Sequence, residues 1–350
     1  DGRQDFSDGL FIAKIPPANQ PAENNMPHFA SEPALPYSQQ NQTAVLLLNL
    51  GTPDAPTTEA VRAFLKDFLS DPRVVELPRW LWQPILRCAI LPFRPKKSAH
   101  GYAKIWLDEG SPLALYTERL SQALGDKLHG ITVRHAMTYG KPAVSDVLSE
   151  LKAQGVGKIL VIPLYPQYAA SSTGAALDKI FAALAQQRNQ MSVRTVSRFY
   201  DDAGYIGAMK QHIQAYWAEH GRGEKLLLSF HGIPQKNHDD GDPYADECRR
   251  TAQLLAEALS LGEKDYIVSF QSRFGRSKWV EPSTQDLLEN LPSQGVAKLD
   301  VFCPGFISDC LETLEEIALV GREQFHAAGG KQYQYIPCLN ADALSDLLGP

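Results

Sequence analysis

A histidine at the end of an apolar run is the first group in this sequence equipped to do chemistry. His231 follows the stretch KLLLSF and precedes Gly232, which predicts an exposed position at a strand end. A polar turn residue reads the same way, so the histidine alone decides nothing. The second feature is an acidic stripe. A helical reading of residues 307–327 gathers Leu311, Leu314, Ala318 and Phe325 on one side, with Ile317 at its edge. It lines the opposite side with Asp309, Glu312 and Glu316 at i, i+3 and i+7. A solvated acidic face is the commoner cause of such a pattern. Here the first turn falls beyond the carboxyl end of a strand, where α/β proteins bind ligands and where the helix dipole favours acids.

Other polar and aromatic residues cluster at comparable places. Tyr165, Gln167 and Tyr168 precede Ser171-Ser172-Thr173-Gly174 and a helix, which suits anion binding or plain capping equally well. Arg94, Lys96 and Lys97 lie beside Tyr102 and Trp106. No Walker-type loop, Gly-rich dinucleotide fingerprint or Gly-x-Ser-x-Gly elbow occurs, so nucleotide-driven and serine-hydrolase chemistry lack their usual marks.

The elements that must position these residues alternate strictly. Strands are predicted at 44–50, 131–137, 158–164, 193–199, 225–230, 265–270, 298–303 and 333–337. Helices are predicted at 57–70, 115–128, 143–154, 174–188, 204–219, 243–261, 282–290 and 307–327. Near-continuous apolar strands such as AVLLLNL and KILVIPL suit parallel sheets covered on both faces. The halves echo each other. Leu50-Gly51-Thr52-Pro53 and His231-Gly232-Ile233-Pro234 each follow a first strand, and Tyr165-Pro166 and Cys303-Pro304 each follow a third. The expectation is an α/β protein of two similar Rossmann-like lobes, each a roughly four-stranded parallel sheet flanked by helices, with a cleft between them. The predicted boundaries are a disordered tail at 1–43, a first lobe at 44–200 and a second at 201–350, with a C-terminal helix free to pack back on the first. Residues before Met26 are set aside from the fold.

A net charge of −6 argues against general nucleic-acid binding. No apolar run reaches the roughly 18 residues needed to span a bilayer, and residues 1–25 lack the pattern of a secretory signal. Five scattered cysteines without a CxxC pair suit a reducing compartment, so a cytoplasmic protein is expected. The stretch 77–93, with Trp80, Trp82 and Ile85, reads either as an apolar lip that touches a membrane or as a buried helix, the second slightly favoured.

Six stretches, in this order, resemble ferrochelatase: LLLNLGTP, YAKIWLDEGSPL, YPQYAASSTG, SFHGIP, GDPY and FISDCLETLEEI. The resemblance runs from about Ala44 to the C-terminus. It implies an enzyme of the lyase class that inserts ferrous iron into protoporphyrin IX to make haem b. It also implies that His231 and Glu312 are the catalytic and metal-handling pair, with Asp309 and Glu316 as an acidic relay behind them. Leu50, Tyr102, Tyr139, Tyr165 and Ile233 would be porphyrin wall residues, and Arg94 and Ser111 propionate contacts. Protoporphyrin and Fe2+ are expected as substrates, with no tightly bound cofactor. Ala170 stands where animal members carry a cluster-binding cysteine, which speaks against a [2Fe-2S] cluster, and the WLDEGSPL stretch looks like Gram-negative bacterial enzymes. Peripheral contact with a membrane, or with the preceding enzyme of the haem pathway, stays open. The rivals are a chelatase for another metal or tetrapyrrole, and a two-lobed protein that binds porphyrin without metallating it.

Overall fold

A computed structural model describes residue 29 and residues 31–35, 41–275 and 277–341. Most of the predicted tail at 1–43, Met26 included, lies outside the described residues. So does the end of the second lobe, with its suggested packing on the first.

Eight strands form where apolar, β-branched runs are bounded by turns. β1 (Gln42–Asn49), β2 (Thr132–Met137), β3 (Val156–Pro163) and β4 (Ser192–Thr195) make one parallel sheet in the order β2-β1-β3-β4. β5 (Lys225–His231), β6 (Tyr266–Gln271), β7 (Lys298–Phe302) and β8 (Gln332–Tyr335) make the other in the order β6-β5-β7-β8. The two orders are the same, so the echo read in the sequence is a repeat of topology.

The faces of β1 show how the layers join. Ala44, Leu46 and Leu48 pack into one core against the helices Val144–Ala153 and Ala175–Ala185. Val45 and Leu47 enter a second core that also takes Leu226, Leu228 and Phe230 of β5, Phe270 of β6 and Phe302 of β7. The lobes therefore share an interior, to which each fully buried aliphatic or phenyl side chain contributes about 1.5–3 kcal/mol. Polar groups tie the same seam. Gln167 donates to Thr251 Oγ1 at 2.9 Å, and Tyr168 N and Ala170 N donate to the carboxylates of Glu247 (2.7 Å) and Asp242 (2.8 Å).

The repeat extends to the strand ends. Gly51 has φ +107, and a Cβ there would meet the Tyr139 carbonyl at 1.7 Å; a Cβ on Gly232 would stand 2.8 Å from the Gln271 carbonyl. In both lobes the end of the first strand thus leads into a glycine pressed against the backbone beside the neighbouring strand. The helix after each third strand also opens in wide i→i+5 turns, Ala170–Gly174 before Ala175–Ala185 and Glu312–Gly321 before Arg322–Ala327. Such turns are rare and cluster at functional sites.

Two differences from the sequence reading bear on the site. The helix expected from residue 307 has its regular turns only from Glu312–Gly321 onward. Asp309 holds the preceding segment in irregular backbone: its N–H donates to Asn340 Oδ1 at 2.8 Å and its carboxylate accepts from Asn340 Nδ2 at 2.8 Å. The stretch 77–93 folds as the helix Arg79–Ile85, continued by the wider turn Leu86–Ile90. It is not simply buried. Trp82 and Leu86 enter a core with Val61, Phe64 and Tyr102, while Trp80 and Phe93 are 78% and 75% exposed.

Candidate active site

His231 is the last residue of β5 and lies in register with Gln271, the last of β6. Its Nδ1 is 2.6 Å from the Gly232 carbonyl oxygen. That contact requires a proton on Nδ1, which leaves the Nε2 lone pair of the neutral ring free to accept a proton or bind a metal. The Tyr244 hydroxyl hydrogen-bonds the backbone of the same residue from the other side.

The wide-turn helix Glu312–Gly321 brings up the acids. Residues four apart on such turns stay near one face, so Glu312 and Glu316 act on each other electrostatically, and Glu316 also senses His231. Burial raises the Glu316 pKa, opposed by hydrogen bonds from Ser272 and by the imidazole. The Glu316 carboxylate accepts from Ser272 N at 2.7 Å, Ser272 Oγ at 2.5 Å and Gln285 Nε2 at 2.5 Å. Glu312 lies toward the first lobe, within the electrostatic reach of Arg94 and Tyr102, and the Cys310 thiol hydrogen-bonds it. Glu316 thus lies within the electrostatic reach of both His231 and Glu312. Among the described residues no group of three or more His, Cys, Asp or Glu converges in metal-binding geometry.

Asp309 is engaged elsewhere. It is 2% exposed, and its carboxylate is filled by Tyr335 OH, Thr313 Oγ1 at 2.9 Å and Asn340 Nδ2 at 2.8 Å. The three-acid stripe therefore reduces to two, because the first acid precedes the helix and turns inward.

The residues expected around the macrocycle divide into two groups. Leu50, Tyr102 and Ser111 belong to the wall near Glu312. Leu50 packs against the core that holds Tyr102, and Thr52 hydrogen-bonds both Tyr102 and Ser111, the latter at 2.8 Å. Arg94 stacks its guanidinium 4.5 Å from the Phe274 ring centroid, so a side chain of each lobe meets there. Burial lowers the Arg94 pKa, with Glu312 opposing the shift. Tyr139 and Ile233 are buried, and Tyr165 is partly buried. Tyr139 donates to Asp71 at 2.9 Å, the buried Tyr165 hydroxyl faces Thr138, and Ile233 belongs to the shared core. Ser272, Gln285, Gln271, Thr52 and Phe274 were not singled out in the sequence. Gln271 and Ser272 carried a signal nonetheless: they end and follow the strand beside His231, where ligand sites form.

A model of the ferrochelatase family matches residues 42–345. The chain belongs to the ferrochelatase family. Ferrochelatases of Neisseria meningitidis and Neisseria gonorrhoeae are 72% and 70% identical to it over 312 residues, covering 89% of this chain and 93% of theirs. The ferrochelatase of Chromobacterium violaceum is 50% identical over 331 residues, covering 93% of this chain and 91% of its own. Among solved structures, SirB from Bacillus subtilis with Fe3+ superposes with a TM-score of 0.53 at 12% identity, over 87% of this chain and 92% of that one, a likeness of fold. As a ferrochelatase the protein is a metal chelatase of the lyase class, and it inserts ferrous iron into protoporphyrin in haem synthesis. Iron is a substrate of that reaction.

Proposed function

We propose that metal insertion takes place between His231 and Glu312, with Glu316 carrying protons away from His231. Two pyrrole protons must leave the macrocycle and water must leave Fe(II) before the metal seats. The His231 Nε2 lone pair suits the first task, and Glu316, with its raised carboxylate pKa, suits onward transfer. Glu312, on the side of Arg94 and Tyr102, meets the iron. The observation that carries this reading is that Gln271 and Ser272, at the end of the strand paired with His231, hold the Glu312 backbone and the Glu316 carboxylate by hydrogen bonds. Arg94 and Ser111 anchor the propionates, Leu50 and Tyr102 form the wall, and Tyr139, Tyr165 and Ile233 back that wall from the core. Asp309 anchors the turn that presents Glu312.

The experiment is the loss of free-porphyrin fluorescence after Fe(II) is added, with protoporphyrin IX and coproporphyrin side by side. Rapid loss with protoporphyrin supports the reading, faster loss with coproporphyrin redirects it to another tetrapyrrole, and binding without metallation makes the protein a carrier.

We further infer that the cytoplasmic protein docks peripherally on a membrane, or on the preceding enzyme of the pathway, through the stretch 77–93. Support comes from the apolar side chains of Leu77, Trp80, Leu81, Ile85 and Phe93, all turned outward. Among the described residues no helix is long and apolar enough to cross a membrane.

A further inference from the structure

Ser272 follows β6 with φ +64, in the left-handed region where glycine is the sterically easy choice. A serine held there stores strain, and its surroundings show what the conformation accomplishes. It turns the backbone N–H and the hydroxyl toward one target: N donates to Glu316 Oε1 at 2.7 Å, and Oγ donates to Oε2 at 2.5 Å. One donor on each carboxylate oxygen fixes both the place and the plane of the group, and charge-assisted bonds of this kind are the strong ones. Gln285 Nε2 adds a third donor on Oε1 at 2.5 Å.

The preceding residue holds the other acid. Gln271 is fully buried, its Nε2 donates to the Glu312 carbonyl at 2.8 Å, and its Oε1 accepts from Ser229 Oγ at 2.6 Å. Gln271 is also the register partner of His231, and its carbonyl accepts the N–H of Gly232 at 2.8 Å. Two consecutive residues at the end of β6 thus index both members of the acidic pair to the strand that carries the histidine.

We propose that Ser272 is a positioning residue for metal insertion, setting the orientation of the Glu316 carboxylate relative to His231. It acts through Glu316 and touches neither porphyrin nor iron. The inference rests on the reading of Glu316 as a proton carrier, and the test separates the two.

Ser272→Gly, Ser272→Ala and Glu316→Gln are compared with the parent enzyme in steady-state insertion into protoporphyrin and in thermal unfolding. Losing the hydroxyl lowers kcat about tenfold, the scale of one hydrogen bond to a charged group, with the porphyrin KM unchanged. Ser272→Gly and Ser272→Ala lose the same hydroxyl, but glycine also relieves the positive φ, so Ser272→Gly melts above Ser272→Ala while both are slowed alike. A merely structural serine would lower the melting temperature of both variants and leave the turnover of the folded protein undiminished. Ser272→Gly and Ser272→Ala at the parent kcat, with Glu316→Gln impaired, overturn the positioning role alone. Glu316→Gln at the parent rate overturns the reading of Glu316 and this inference with it.

Discussion

Glu312 and Glu316 sit four residues apart on one helix, yet their surroundings give them different work. Glu316 is enclosed by Ser272 and Gln285, and burial raises its pKa. The folded protein therefore holds the Glu316 proton to higher pH than the unfolded chain does. With more protons bound when folded than when unfolded, stability from this group falls as pH rises through the carboxylate range. The unfolding free energy of the parent relative to Glu316→Gln should accordingly decline as the pH rises above the ordinary carboxylate range, as read by urea titration at each pH. An unchanging difference would mean that burial does not perturb this carboxyl. Glu312 faces Arg94 and the Tyr102 wall instead. Glu312→Gln should lower kcat by about a hundredfold or more while leaving the porphyrin KM nearly unchanged, measured by the same fluorescence assay. A large rise in KM with unaltered kcat would recast Glu312 as a substrate anchor.

At the scale of elements, the repeated strand–glycine turn sets the geometry of the site. Gly51→Ala would place a methyl into the Tyr139 carbonyl at φ +107, and Gly232→Ala would press one on the Gln271 carbonyl and the Trp279 ring. Each should destabilise the protein by about 1–3 kcal/mol in urea unfolding. Either variant at parent stability would show that these turns relax easily. The strands β1, β3 and β5 were legible because their apolar runs are short, nearly unbroken and bounded by turn residues, and the more polar edge strands β4 and β8 by their place in the alternation with helices. The course of the acidic helix was not. Wide i→i+5 turns leave no distinct hydrophobic period in so short a stretch, and Asp309 is claimed by Tyr335 and Asn340, 26 and 31 residues further on. The stretch 77–93 reads as a lip or a helix because its apolar residues divide between core and exterior, and the helix Arg94–Ile105 escaped because its buried face is built from small or isolated residues in a lysine-rich stretch.

On the scale of the whole molecule, the lobes are joined by a shared core and by the seam of Gln167, Glu247 and Asp242, so the two sheets pack as one body. Arg94 over the Phe274 ring adds a contact between the two halves of the chain. The outward stretch 77–93 lies on the first lobe, and its separate test is flotation with phospholipid vesicles. Trp80→Ser with Phe93→Ser should abolish flotation without altering turnover of detergent-solubilised porphyrin, and undiminished flotation would remove the membrane reading. Trp82 is unsuitable for this purpose, since it is buried and its Nε1 donates to the Leu69 carbonyl at 2.6 Å.

The family pattern made His231 and Glu312 legible from the sequence, while the side chains that hold the acids emerged only when β6 was seen beside β5. The most direct test of the account is single-turnover metallation by His231→Ala, with porphyrin binding measured on the same sample. The variant should bind protoporphyrin with parent affinity, retain the parent unfolding midpoint within a few degrees, and fail to consume the free-base porphyrin after Fe(II) is added. Metallation at the parent rate by that folded variant would contradict it.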